Sequence, residues 1–290
     1  MPVIINGKET AQKIHELVRQ RTEKLKQKGI TPCLAVILVG EDPASLSYVT
    51  AKKKALFECG MEDRDFKLPG STEEQELLAV IQSLNMDPKV HGILVQLPLP
   101  SHINEQKVLS AMDPAKDVDG FHPVSAGSLL LERPGFISCT PLGVVCLLKD
   151  WSIPLKGKHA VIIGRSNIVG KPLANLLIRK EHNLTVTICH TGTPDISAFT
   201  KQADIVIAAA GRPGLVTKDM VKSGAAIIDV GVNRIEDTSR KKGYRLQGDV
   251  DYEGLLDTAG WITPVPGGVG PMTIAMLMQN VVDAAEGIIL

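Results

Sequence analysis

The stretch VIIGRSNIVGKP, residues 161–172, decides the fold. An apolar strand pattern runs into Gly164, a short polar loop follows, and Gly170 with Pro172 opens a helix expected over residues 168–180. A strand-to-helix turn of this kind aims backbone N–H groups and the positive helix end at phosphate oxygens, and glycine lets a ligand come close to the backbone. A GxGxxG fingerprint would need glycine at 166 and 169, where Ser166 and Val169 stand. The competing reading is a tight turn that binds nothing.

Working outward, strand patterns at 159–164, 184–189 (LTVTIC), 203–211 (ADIVIAAAG) and 225–231 (AAIIDVG) alternate with helices at 168–180 and near 217–222. That alternation predicts a parallel dinucleotide-binding sheet covered by helices. Where an NAD site offers Asp or Glu to the ribose, TICHTGT supplies His190, Thr191 and Gly192. No carboxylate there opposes a 2′-phosphate, and Arg165 can donate charge-assisted hydrogen bonds to one, so NADP is preferred over NAD. A solvated Arg165 is the bland alternative. TPVPGGVGP (263–271) interrupts the pattern, and a last helix runs from Met272 into the 280s.

The amino-terminal half alternates in the same way. Strands are expected at CLAVILVG (33–40) and VHGILVQLPLP (90–100), with a short one at 64–68, and helices at 7–29, 43–59 and 72–85. Met112–Pro141 reads mainly as loop. Asp42 before Pro43 starts the second helix and Gly60 stops it. The three lysines in SYVTAKKKAL (47–56) then separate: Ser45, Tyr48, Val49, Ala55, Leu56 and Cys59 share a mainly apolar face with Lys52, while Lys53 and Lys54 point elsewhere. A lysine on such a face loses solvation of its charged form and can act as a general base, unless it snorkels into water. Gln96 ends an apolar strand, where an amide can meet both an amine and a substrate, or simply satisfy backbone. Asp117 and Asp119 precede Gly120 in a loop, where a carboxylate can grip a heterocycle edge or cap a turn.

Composition sets bounds. Lys plus Arg equals Asp plus Glu at 32 each, so no global field favours nucleic acid or an anionic bilayer, and a small-molecule partner is expected. Five cysteines without CxxC spacing argue against a disulfide framework or a metal site and for a reducing compartment. MPVIINGKET lacks a secretory pattern, and no apolar run approaches the roughly 18 residues of a membrane span. A cytosolic location is expected.

VGEDPASLSYVTAKKKA (39–55), GILVQLPLP (92–100), KDVDGFHP (116–123), CTPLG (139–143), VIIGRSNIVGKP (161–172), IDVGVNR (228–234), GDVD (248–251) and TPVPGGVGPMT (263–273) occur in that order. Together they resemble the bifunctional methylenetetrahydrofolate dehydrogenase/methenyltetrahydrofolate cyclohydrolase family over essentially the whole length. The resemblance implies two α/β domains: a catalytic, folate-binding one from residues 1–140 and 268–290, and a Rossmann-like NADP-binding one from 141–267, with a cleft between. It implies oxidation of 5,10-methylenetetrahydrofolate and hydrolysis of the methenyl product to 10-formyltetrahydrofolate by a homodimer. Tyr48 and Lys52 would face the folate, Gln96 would tune the lysine between Val95 and Leu97, and Asp119 would hold the pterin. Pro264, Pro266, Gly267, Gly268, Val269, Gly270, Pro271 and Thr273 would contact substrate from a closing loop. Thr140, Gly164, Arg165, Ser166, Val169, Gly170, Thr191 and Val232 would contact NADP. Ser125 and Ser128 depart from an N-x-G-R-L run, and Gly192 stands where relatives often carry Lys or Arg, which keeps NAD open. A monofunctional NAD(P) dehydrogenase and a non-catalytic nucleotide sensor are the rival readings.

Overall fold

The computed structural model describes residues 1–40, 43–240 and 243–288, the side chains of 43–47 excepted. Asp42, the expected helix cap, lies outside the described residues. The elements begin β1 (Val3–Ile4), α1 (Gly7–Gln27), β2 (Cys33–Val39), α2 (Pro43–Glu58), β3 (Glu62–Leu68), α3 (Glu74–Met86) and β4 (Gly92–Val95). Four helices and a strand follow: α4 (Glu105–Ser110), α5 (Pro123–Leu130), α6 (Cys139–Asp150), β5 (His159–Ile163) and α7 (Gly170–Leu177). Then come β6 (Thr185–Cys189), α8 (Ser197–Thr200), β7 (Ile205–Ala208), β8 (Ala226–Asp229), β9 (Asn233–Glu236) and β10 (Tyr244–Gln247). The chain closes with α9 (Tyr252–Leu255), β11 (Trp261–Ile262) and α10 (Val269–Glu286).

These elements form two compact units, Met1–Ala11 with Thr140–Thr273, and Gln12–Cys139 with Ile274–Leu290. The first unit holds a six-stranded sheet in the order β1-β11-β8-β7-β5-β6, every pairing parallel. Its central strands are continuous apolar runs because helices and loops cover both faces. Val161, Ile163, Val206, Ala208 and Ile227 share one buried cluster with Leu255 and Ile262. β6 and β7 lie on opposite sides of β5, so the chain reverses direction across the sheet there. Ligands bind beyond the carboxyl ends of strands at such a switch point.

The second unit has a three-stranded parallel sheet in the order β3-β2-β4. All seven residues of β2 are buried. Cys33, Ala35, Ile37 and Val39 pack with Leu77, Ile81 and Leu84 of α3 and with Ile93 and Val95 of β4. The cysteines are free thiols, four buried and Cys146 half-buried. No helix among the described residues is long and apolar enough to cross a membrane.

Three expectations differ from this architecture. Val3–Ile4 pairs with β11, held by Val3 N–H to Gly260 O at 2.9 Å and Ile5 N–H to Ile262 O at 2.8 Å, so the first residues belong to the nucleotide-type sheet although residues 1–140 were expected together. Within 112–141, expected mainly as loop, Pro123–Leu130 is helical: the proline occupies the first turn, where no N–H is needed, and His122 Nδ1 accepts from Val124 N–H at 3.0 Å. The helix expected near 217–222 is only a 3₁₀ turn, Lys218–Met220.

Candidate active site

Helical spacing places Lys52 on the inner face of α2. Val49, Ala55, Leu56 and Cys59 are buried beside it, and Lys52 itself is only 6% exposed. The neighbouring lysines are held elsewhere: Lys53 pairs with Asp65, and Lys54 reaches Glu58 at 3.7 Å. Lys52 therefore does not snorkel. Its Nζ donates to Gln96 Oε1 at 3.1 Å, and Gln96 Nε2 donates to Leu97 O at 2.8 Å, which fixes the amide orientation. Gln96 is carried by the β4 ladder, because its N–H continues the pairing to Ile37 O at 2.9 Å, just beyond buried Val95. Tyr48, one turn before Lys52, is 38% exposed, and burial pushes its phenol up.

The loop with Asp117 and Asp119 belongs to the same unit, and its two carboxylates differ. Asp117 is fully buried and accepts from Phe121 N–H at 3.1 Å, His122 N–H at 2.8 Å and Ser125 Oγ at 2.7 Å. It is the turn cap, and burial pushes its carboxyl up to about 6. Ser125, one of the departures from the family run, is thus a partner of Asp117. Asp119 is half-buried beside the Cys139 thiol. Burial pushes that thiol well up, Asp119 reinforces the shift and Lys52 opposes it, so amine, carboxyl and thiol act on one locality. Gly120 has φ +71°, and a Cβ there would stand 2.4 Å from Ser138 N. Asn280 of α10 completes the support: its Nδ2 donates to Val118 O at 2.8 Å and Ile137 O at 3.2 Å. Sequence reading missed Asn280, because its partners lie far away along the chain.

In the other unit a cavity of about 260 Å³ opens at the carboxyl ends of β5, β6 and β7, lined by Gly164, Arg165, Ser166, His190, Thr191 and Arg212 among others. Gly164 has φ +133°, and a Cβ there would lie 2.2 Å from Ala209 O. Gly170 meets the same backbone, since its Cβ would be 2.2 Å from Gly164 O. Ser166 Oγ accepts from Val169 N–H at 3.1 Å and Gly170 N–H at 3.4 Å, closing the turn in the role a fingerprint glycine leaves to backbone. Two arginines and no Asp or Glu line the cavity, which fits a phosphorylated dinucleotide. Val232 is 43% exposed and outside this lining, and Thr140 Oγ1 instead meets Thr273 Oγ1 at 2.8 Å.

Two buried carboxylates missed by sequence reading shape the surrounding loops. Asp249 Oδ2 accepts from Ala210 N–H at 2.7 Å and Gly211 N–H at 2.8 Å, and its Oδ1 accepts from Asn233 Nδ2 at 2.9 Å. Asp229 accepts from Gly231, Asp249 and Val250 N–H groups at 3.0, 2.9 and 3.0 Å. Its own N–H donates to Thr263 Oγ1 at 2.7 Å, at the start of the loop expected to contact substrate. In that loop Gly268 N–H donates to Pro264 O at 2.8 Å, and Gly267 and Gly268 are buried while Pro266 is exposed. A Cβ on Gly7 would stand 1.8 Å from Gly268 O, so the start of α1 presses on this loop. Val269, Gly270, Pro271 and Thr273 form the first turn and a little more of α10. Among the described residues no group of three His, Cys, Asp or Glu could hold a metal ion.

A parallel sheet with an anion-friendly cavity at its switch point, in a chain whose other unit buries a hydrogen-bonded lysine, defines a dinucleotide-dependent α/β enzyme. Residues 5–119 match the family model of the tetrahydrofolate dehydrogenase/cyclohydrolase catalytic domain, and residues 138–288 match that of its NAD(P)-binding domain. The chain belongs to the tetrahydrofolate dehydrogenase/cyclohydrolase family. It is 54% identical over 287 residues to the bifunctional protein FolD of Prosthecochloris aestuarii, covering 97% of each chain. The crystal structure of the bifunctional FolD methylenetetrahydrofolate dehydrogenase/cyclohydrolase from Campylobacter jejuni superposes with TM-score 0.94 at 49% identity, covering 99% of both chains. The Trypanosoma brucei methylenetetrahydrofolate dehydrogenase-cyclohydrolase, complexed with NADP cofactor and inhibitor, matches with TM-score 0.95 at 39% identity, covering 99% of this chain and 98% of the other.

Proposed function

We propose that the chain oxidises 5,10-methylenetetrahydrofolate to 5,10-methenyltetrahydrofolate with NADP, then hydrolyses that product to 10-formyltetrahydrofolate, within folate one-carbon metabolism. The observation that carries this reading is the buried Lys52, 3.1 Å from Gln96, in the unit that carries the catalytic-domain match. NADP supplies the hydride acceptor when bound. For that first step the protein's task is alignment, because the folate ring nitrogen provides the electron push.

Hydrolysis needs proton traffic. Water adds to the methenyl carbon between the two nitrogens and loses a proton to give a neutral carbinol. The bond from that carbon to N5 then breaks as N5 gains a proton, and the hydroxyl releases its remaining proton to solvent as the formyl C=O forms. Lys52 accepts the first proton and returns it to N5, with Gln96 holding the amine in place and Tyr48 packing on the folate. Asp119 accepts hydrogen bonds from the pterin edge. Val95 and Leu97 flank the substrate, and Pro264, Pro266 to Pro271 and Thr273 contact it from their loop. Thr140, Gly164, Arg165, Ser166, Val169, Gly170, Thr191 and Val232 serve the dinucleotide. The folate function resides in residues 1–140 and 268–290, less the first strand and the turn after it, and the nucleotide function in 141–267. The enzyme acts as a cytosolic homodimer on a small substrate, without nucleic acid, membrane or metal; balanced charges of 32 and 32 support the small-molecule reading.

The test follows nicotinamide reduction and methenyl decay separately. In Lys52→Met, methenyl hydrolysis should fall by about 10²-fold or more while nicotinamide reduction stays detectable. A variant that hydrolyses methenyltetrahydrofolate at the parent rate refutes the assignment.

A further inference from the structure

The cavity at the β5, β6 and β7 strand ends is lined by two arginines, and only Arg165 is expected from the family pattern. The second, Arg212, enters from the far side of the switch point, on the loop after β7. Its backbone is fixed: the fully buried Asp249 carboxylate accepts from both N–H groups that precede it, those of Ala210 and Gly211. Gly211 takes φ +64°, which turns the chain sharply before Arg212. No ion pair or hydrogen bond of the Arg165 or Arg212 side chain occurs among the described residues, and the cavity lining contains no carboxylate. Two exposed arginines from adjacent loops, with no carboxylate in the lining, give this cavity a positive rim that favours an anionic group. Gly192 lacks a side chain at the position after Thr191, so the loop after β6 contributes no cation of its own there.

We infer that Arg212 is a specificity-determining residue for the dinucleotide, gripping the 2′-phosphate together with Arg165 and supplying from the β7 loop the charge that Gly192 cannot. A guanidinium fork matches phosphate oxygens in two-point geometry, and each such pair outweighs a neutral contact. The chain would then read NADP against NAD with a pair of arginines on opposite sides of the switch point. This inference deepens the proposed NADP use and depends on it.

The test measures equilibrium binding of 2′,5′-ADP and of 5′-AMP to the full chain by titration calorimetry, which requires no turnover. The parent should prefer 2′,5′-ADP. Arg212→Met should weaken 2′,5′-ADP by about ten-fold or more and leave 5′-AMP within about two-fold, while Arg212→Lys recovers part of the loss. Thermal unfolding of each variant checks that the fold is intact. Equal weakening of both ligands would place Arg212 on the adenine and overturn the inference, as would an unchanged preference in Arg212→Met. A parent with no preference for 2′,5′-ADP would overturn the NADP reading along with it, which separates the two failures.

Discussion

Burial weighs heavily on Asp229. It pushes the carboxyl up to about 7, the Asp249 carboxylate adds to the rise, and three N–H donors work against it. In the unfolded chain the same group titrates near 4. Between those values the folded state keeps a proton that the unfolded state has released. Stability contributed by this group is therefore complete below pH about 4 and is lost as pH rises toward about 7. Urea unfolding of Asp229→Asn from pH 4 to 7 should show a shallower decline than the parent, and identical slopes would contradict the assignment. At this scale Lys52 was legible, since a lysine at helical spacing from Val49, Leu56 and Cys59 announces its own burial. Asp229 was not: its partners, Asp249 and Val250, stand about 20 residues away, and nothing local marks an acid that ends a strand as the hub of another loop.

Among the elements, α10 has a second task besides filling a core. Asn280 is buried and its amide satisfies two backbone carbonyls, Val118 O and Ile137 O, on either side of the segment bearing Asp119. Leucine at that position keeps the volume, strands Ile137 O and leaves Val118 O only the weak Cys139 thiol donor, at a cost of about 2–4 kcal/mol. Asn280→Leu should lower the unfolding free energy by that amount and raise the KM for the folate more than that for NADP. A variant with parental stability would show that water replaces the amide. The apolar strands β2, β5 and β7 were readable because a fully covered parallel strand must be continuously hydrophobic. α5 escaped because its proline looks like an interruption, whereas in the first turn it costs no hydrogen bond.

At the scale of the whole molecule, neither unit is continuous in sequence. The chain changes unit after Ala11 within α1, after Cys139 at the start of α6, and after Thr273 within α10. Met276, Leu277, Met278, Val281 and Val282 of α10 are each no more than 1% exposed, so a chain ending at Gly268 loses a core wall. Such a truncation should show no cooperative thermal transition by circular dichroism; a sharp melt at the parent temperature would contradict this. The alternation of strands and helices made the two units legible, yet the membership of Val3–Ile4 could not be read from a two-residue strand. The thiols carry a last practical consequence. Burial pushes Cys33 up to about 11 and Cys59 up to about 12, and it holds Cys139 well above the ordinary thiol range. Alkylating reagents need thiolate, so these side chains stay silent toward maleimide while the chain is folded. Each is a built-in clock for local opening, and a newly introduced surface cysteine would take a fluorophore with half-buried Cys146 as its main competitor.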